Sequence, residues 1–121
     1  MLFKAISASL LMNKAIRINA KKNGYKLTIL GVQVLYAALL IKDKDKKPVH
    51  ATAILKKLEY QCIYSTYDSI KDHINIFTLD GILEPYQIPG KLKTTFYIVT
   101  PLGYSVLQGF ELCLRRCRHD R

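Results

Sequence analysis

Turn-forming residues divide this chain into short segments and constrain its fold more than any other feature. They stand at five points of the sequence: Asn23-Gly24, Pro48, Asp80-Gly81, Pro89-Gly90 and Thr100-Pro101. A glycine in the left-handed conformation ends a helix at low cost, and a proline begins a helix where no backbone N–H is needed. With 121 residues, 50% of them hydrophobic, the chain is long enough for one domain with its own core.

Helical periodicity fills the segments of the first two thirds of the chain. Residues 2–22 carry apolar side chains at spacings of three and four, which predicts an amphipathic helix ended by Gly24. Thr28 caps a second, nearly all-apolar helix, and Pro48 lies in the first turn of a third. Between them the alternating charges of residues 42–47 predict a solvated loop. A fourth helix is predicted over Ser65–Leu79, with Ser65 as its cap.

The fourth predicted helix has two distinct faces and precedes a predicted hairpin. Its apolar stripe consists of Tyr67, Ile70, Ile74 and Phe77. Its polar side consists of Asp68, Lys71, Asp72 and Asn75. Ile82–Ile88 and Leu92–Val99 are rich in residues that favour strands, and Pro89-Gly90-Lys91 forms the turn between them. Thr100 then caps a last helix, with Pro101 at its first position.

The positive charge is concentrated at the two ends of the chain. The net charge is +10, from 19 lysines and arginines against 9 acids. Residues 1–42 contribute +7 and residues 112–121 contribute +3, whereas residues 43–111 are neutral. Such a balance favours a polyanionic partner, with nucleic acid and an acidic membrane surface as the two classes. The ends must supply much of any long-range attraction.

Three stretches of the sequence resemble one family of bacterial regulators. Residues 27–35, preceded by a basic amphipathic helix, resemble the first part of the multiple-antibiotic-resistance regulator (MarR) family. Residues 69–83 resemble the end of that family's recognition helix and the glycine turn that follows. Residues 97–103 resemble its second wing strand and the Thr-x-x-Gly start of its last helix. The resemblance extends over residues 5–115.

The resemblance implies a mainly α, winged helix-turn-helix fold, with about five helices and one two-stranded antiparallel hairpin as the wing. The whole chain, residues 1–121, would then form a single winged-helix domain. Residues 1–24 and 101–121 would be the dimerisation helices, and residues 27–99 the winged helix-turn-helix core. The function it implies is that of a homodimeric transcriptional regulator that binds double-stranded DNA.

The same resemblance implies a set of DNA-binding residues. The groove-facing set on the fourth helix is Tyr67, Asp68, Ser69, Lys71, Asp72 and Asn75. Lys91 and Lys93 belong to the wing. Asn75 is suited to adenine and Lys71 to guanine, while Asp68 and Asp72 would repel phosphates. A solvated helix face and an ordinary charged turn are alternative readings of these positions.

The three cysteines have no pattern typical of a disulfide scaffold, which favours the reducing cytoplasm. Cys113 and Cys117 lie one helical turn apart near three arginines, so they are either packed in a dimer interface or sensitive to redox state. A redox effector and a small-molecule effector are both open alternatives. Cys113, Cys117 and His119 lack a fourth ligand for zinc. We expect no metal and no cofactor.

Other classes of protein are disfavoured by the sequence. The N terminus lacks a signal-peptide cleavage pattern, and the apolar run Leu27–Ile41 is too short and too polar to span a bilayer, so no membrane association is expected. His50, His73 and His119 form no catalytic motif, so the chain is not expected to be an enzyme. The main alternative to the regulator is a winged-helix module that binds protein without specific DNA binding, favoured by the neutral middle and its many tyrosines.

Overall fold

The computed structural model describes the backbone of residues 2–119 and the side chains of residues 10–118. Residues 1, 120 and 121 of the predicted end segments, and the side chain of His119, lie outside the described residues. The described elements follow one another in this order: α1 (Leu2–Asn23), α2 (Ile29–Leu39), a π-helical turn (Leu40–Lys44), α3 (Ala51–Tyr60), α4 (Tyr67–Leu79), β1 (Leu83–Tyr86), β2 (Phe96–Val99) and α5 (Pro101–His119). The predicted mainly α fold with one two-stranded antiparallel hairpin is confirmed.

The chain folds into two compact units. The helical unit consists of residues 1–32 and 105–121, and the winged unit consists of residues 33–104. In the helical unit, α1 buries Ala15, Ile16 and Asn19. The segment of α5 in this unit buries a stripe at spacings of three and four: Val106, Phe110, Cys113 and Cys117. An apolar stripe on each helix gives this unit its core.

The core of the winged unit is formed by its helices and its hairpin. The buried stripe of α4 is Ile70, Ile74 and Phe77, as its periodicity predicts. Tyr67, assigned to the same stripe, is 46% exposed instead, because it is the first residue of the helix. Strands β1 and β2 pair antiparallel from Leu83 opposite Val99 to Tyr86 opposite Phe96. This register brings the rings of Tyr86 and Phe96 into contact, with centroids 5.7 Å apart and the ring planes tilted by 34°.

Several helix ends lie where local sequence signals predict them. The Thr28 hydroxyl accepts a hydrogen bond from the Gly31 N–H at 2.9 Å, and Thr100 accepts one from the Gly103 N–H at 3.1 Å, so both predicted caps are confirmed. Gly81 ends α4 with φ of 76°. There the Ile82 N–H reaches the Phe77 carbonyl at 2.8 Å, as in a Schellman motif.

Two predicted helix starts were wrong. Thr66, rather than Ser65, caps α4, and its hydroxyl accepts from the Ser69 N–H at 3.1 Å. Pro48 precedes the third helix instead of lying in its first turn, because the Val49 carbonyl is taken by the Tyr97 N–H at 2.9 Å. This bridge holds Val49 extended, so α3 begins only at Ala51, with His50 as its cap.

Two predicted segments between elements also differ from the structure. Residues 42–44 are helical rather than part of a charged loop, because α2 continues into the π-helical turn, in which the Asp45 N–H donates to the Leu40 carbonyl at 3.0 Å. The hairpin strands are shorter than the predicted Ile82–Ile88 and Leu92–Val99. A turn in which the Lys91 N–H donates to the Ile88 carbonyl at 3.0 Å lies between them.

Candidate nucleic-acid interface

The starts of α3 and α4 and the second half of the wing enclose a polar cleft of about 280 Å³. We call this the interface cleft. It is lined by His50, Ala51, Thr52, Tyr67, Lys71, Lys93, Thr94 and Thr95. Three of the residues predicted from the sequence, Tyr67, Lys71 and Lys93, therefore meet in one place. Two cations and four hydroxyl groups make the cleft suited to an anionic partner such as a phosphate.

The outward face of α4 carries the other predicted residues of the groove-facing set. Asp68, Asp72 and Asn75 are exposed, whereas Ser69 is half-buried beneath the Thr66 cap. The cap fixes the first turn of the helix, and the buried apolar stripe turns the opposite side toward solvent. Two carboxylates on this face disfavour close contact with phosphates but can accept hydrogen bonds from cytosine.

Lys71 is turned toward the hairpin rather than straight into solvent. Its Nζ donates a hydrogen bond to the buried Tyr97 hydroxyl at 2.8 Å and lies 5.4 Å from the centre of that ring. The ammonium group has three protons, so it keeps donors for a ligand in the cleft. This contact fixes a charged group at the boundary between α4 and the wing.

A larger basic cleft of about 780 Å³ lies on the other side of the α3 start. His50, Thr52 and Thr94 line both clefts, so the two clefts are adjacent. The basic cleft gathers four lysines from three segments of the chain: Lys47, Lys56, Lys57 and Lys91. Lys57 pairs with Asp45 at 2.8 Å, and its hydrogen bond lowers the pKa of that carboxyl below 3.8. The predicted wing residue Lys91 lies here, not in the interface cleft.

His50 stands at the junction of the two clefts. Its Nδ1 accepts a hydrogen bond from the Ala53 N–H at 3.3 Å, which caps α3 and leaves Nε2 to carry the ring proton. Burial, followed by the positive charges of Lys56 and Lys91, lowers the pKa of His50 below 6.5. The ring is therefore held neutral, with one N–H donor.

Sequence reasoning missed several residues of the two clefts. These are Lys47, His50, Thr52, Thr94 and Thr95. A histidine two residues after a proline is a weak capping signal, and nothing in the local sequence shows that the α3 start faces the wing. The bridge between Val49 and Tyr97, which brings these distant segments together, has no local sequence signature.

The structure bears on three further expectations from the sequence, which concern the cysteines, metal binding and membrane-spanning helices. Cys113 and Cys117 are both buried within the chain itself, so no partner subunit is needed to cover them. Among the side chains that the structure describes, no group of three His, Cys, Asp or Glu residues is placed to hold a metal ion. No helix within residues 2–119 is both long and apolar enough to cross a membrane.

Comparison with known proteins identifies the fold but not a close relative. No protein-family model matches the sequence, and no curated protein matches it. MepR, a transcription regulator of the Staphylococcus aureus multidrug efflux pump MepA, is 13% identical, with a TM-score of 0.72 over 98% of this chain and 78% of its own.

Two further solved structures are similar. The MarR-family transcription regulator SP03579 is 16% identical, with a TM-score of 0.63 over 92% of this chain and 68% of its own. Bordetella bronchiseptica BpsR is 13% identical, with a TM-score of 0.61 over 93% of this chain and 74% of its own. The chain therefore has the winged-helix fold of the MarR-like transcription regulators.

Proposed function

We propose that this protein is a homodimeric, DNA-binding transcriptional regulator of the winged-helix type. The observation that carries the proposal is the interface cleft, in which the start of the recognition helix α4, the start of α3 and the wing bring Tyr67, Lys71 and Lys93 together. A helix-turn-helix protein needs such a combination, because the helix reads base edges while flanking cations neutralise phosphates. A structure of a MepR variant with a bound oligodeoxyribonucleotide is among the similar folds, which supports this use of the fold.

The proposed roles divide between specificity and attraction. Asn75, exposed on α4, pairs with adenine, while Asp68 and Asp72 accept hydrogen bonds from cytosine. Ser69 and Tyr67 lie at the start of the same helix and contact the groove edge or the sugar-phosphate backbone. Three lysines neutralise phosphates: Lys71, Lys91 and Lys93. The contact of Lys71 with Tyr97 favours this phosphate role over the guanine contact expected from the sequence.

The dimer is proposed to form through the helical unit, with residues 1–121 as one winged-helix domain. Leu112 on α5 is 57% exposed, and covering it would favour association. Leu107, by contrast, is buried within the chain, so a charge there would test folding rather than dimerisation. A two-fold dimer predicts a roughly palindromic duplex site.

A selection from random duplexes, followed by affinity measurements on the selected and a random duplex, tests the proposal. Asn75→Ala is expected to weaken binding to the selected duplex by about 1 to 3 kcal/mol and to change random-duplex binding little. Asn13→Ala is the matched control, since Asn13 is also exposed on a helix but lies in the helical unit. Equal losses on both duplexes, or no enriched sequence, would contradict the specific regulator.

The second candidate is a module that binds protein. It is favoured by the outward face of α4, where Ile76 and Leu79 are exposed beside the two aspartates. Such a face can dock against a basic partner with apolar side chains. This candidate predicts no duplex binding that survives competitor DNA at physiological salt.

We also propose the cytoplasm as the site of action, because the three cysteines are free thiols, as expected in a reducing compartment. Control by a small molecule is supported by BpsR, whose DNA binding is regulated by 6-hydroxynicotinic acid. Redox control is the less favoured effector, since burial of Cys113 and Cys117 shields both thiols from oxidants.

A further inference from the structure

Most of the positive charge lies outside the winged unit. The helical unit has ten bases and two acids, a net charge of +8, whereas the winged unit has nine bases and seven acids, a net charge of +2. DNA recognition by the winged unit accounts only for its own net charge of +2. The larger part belongs to helices that the proposed regulator uses for association, where like charges on two copies repel each other.

The described part of α1 presents these charges as a stripe. Lys14, Arg17 and Lys21 are exposed and spaced by three and four, so they share one face of the helix. The stripe extends over about 10 Å at 1.5 Å per residue. The sequence of α1 contains no acid at all. The stripe therefore forms a line of cations without a carboxylate on its own helix.

Helix dipoles explain only part of this pattern. Lys21 and Lys22 lie in the last turn of α1, where cations stabilise the helix end. Arg115, Arg116 and Arg118 lie near the end of α5 and have the same effect. Lys14 and Arg17 lie in the middle of α1, beyond the reach of that effect. Their exposure and alignment need another explanation.

We propose that the cationic stripe of α1, formed by Lys14, Arg17 and Lys21, binds the phosphate backbone of nucleic acid without sequence preference. A duplex has about one negative charge per 1.7 Å of axis, so a 10 Å line of cations lies beside several phosphates. This gives the protein a second nucleic-acid surface, in a different unit from the interface cleft. It does not depend on sequence reading by α4.

The chemistry of α1 favours nucleic acid over an anionic membrane. A helix that lies in a membrane interface needs a broad free apolar face beside its cations. In the part of α1 from residue 10 onward, the apolar face is instead packed against the protein, with Ala15 and Ile16 in the core. Leu10 is the one exposed large apolar side chain on the part of α1 from residue 10 onward. A single leucine gives little membrane affinity.

The test compares two pairs of substitutions that remove the same charge. Lys14→Ala with Arg17→Ala removes two cations from the stripe, and Lys42→Ala with Lys44→Ala removes two exposed cations from the winged unit. Affinity for a duplex of random sequence is measured between about 50 and 200 mM salt. Affinity falls as salt rises, so the slope of log affinity against log salt is negative. The stripe variant is expected to make this slope shallower by about 1.8, and the control variant by much less. Circular dichroism and thermal melting check that both variants are folded.

The outcomes separate this proposal from the regulator. Equal slopes for both variants, changed or unchanged, would overturn it, because position on α1 would then not matter. Loss of binding to phosphatidylglycerol vesicles with an unchanged duplex slope would overturn it in favour of a membrane. The selected-to-random affinity ratio, on which the regulator depends, is expected to stay the same in the stripe variant. Either proposal can therefore fail while the other holds.

Discussion

Cys62 has a left-handed backbone, with φ of 61°, just after α3 ends. The Ile63 N–H donates to the Leu58 carbonyl at 2.8 Å and the Cys62 N–H to the Glu59 carbonyl at 2.9 Å, the two hydrogen bonds of a Schellman motif. A side chain at this position costs about 1 to 2 kcal/mol, a strain that glycine avoids. Cys62→Gly is therefore expected to raise the free energy of unfolding by about 1 kcal/mol, measured by urea denaturation.

Gly24→Ala is the opposite control for this backbone effect. Gly24 has φ of 72°, and an added Cβ would meet nothing within 4 Å, so the substitution changes backbone strain without a clash. It is expected to lower the free energy of unfolding by about 1 kcal/mol. If Cys62→Gly also destabilises the protein, the thiol makes a contact that outweighs the strain.

His50 gives the stability a dependence on pH. Its pKa is lowered in the folded protein, chiefly by burial and then by Lys56 and Lys91, so the unfolded chain binds the proton more tightly. The resulting stabilisation is complete above the ordinary pKa of 6.5 and is lost as the pH falls through the lowered value. The free energy of unfolding should therefore fall as the pH is lowered below about 6.5.

His50→Asn isolates this contribution, because asparagine caps a helix well but does not titrate in this range. Urea titrations of both proteins across this pH range are expected to give a smaller pH dependence for the variant. Identical pH profiles would mean that His50 has the same pKa in the folded and unfolded states.

At the scale of elements, Thr66 decides where α4 begins. Its hydroxyl satisfies the Ser69 N–H, one of the four donors that a helix start leaves free. Thr66→Ala is expected to cost about 1 kcal/mol of stability, and Ser65→Ala much less. Chemical denaturation of the two variants measures the difference. A larger loss of stability for Ser65→Ala would instead indicate that Ser65 caps α4, as the sequence predicts.

The elements also show what a sequence can predict. Local rules located two helix caps, because the partners in each are only three residues apart: Thr28 with Gly31, and Thr100 with Gly103. Ser65 and Thr66 are adjacent and both able to cap, so local rules could not choose between them. The bridge from Val49 to Tyr97 joins residues far apart in the sequence and is set by tertiary packing. Because of this bridge, α3 begins later than the sequence predicts, at Ala51, and His50 lies between the two clefts.

In the candidate site, too, the features set by one helix could be predicted from the sequence, and the contacts between distant segments could not. Periodicity identified the buried and exposed faces of α4, including the exposed Asn75, because one helix turn determines them. It could not place Lys71 against Tyr97, since that hydrogen bond joins α4 to a strand whose register depends on the whole hairpin. The division of charge between the two units likewise required knowledge of which segments pack together.

At the scale of the whole molecule, the charge of the helical unit predicts that the proposed dimer becomes tighter as the salt concentration rises. Each copy brings a net charge of +8 in that unit, so association through it is opposed by repulsion that salt screens. The screening length falls from about 10 Å at 0.1 M salt to about 3 Å at 1 M salt. Raising the salt over this range should tighten the proposed dimer by on the order of tenfold, the opposite of its effect on DNA binding.

Sedimentation equilibrium across a salt series measures this dimer affinity. Leu112→Glu should give monomers at every salt concentration, because Leu112 is exposed in the single chain and the substitution leaves its core intact. A dimer that weakens as salt rises would instead be held by ion pairs between the copies, and Leu112 would not be its main contact.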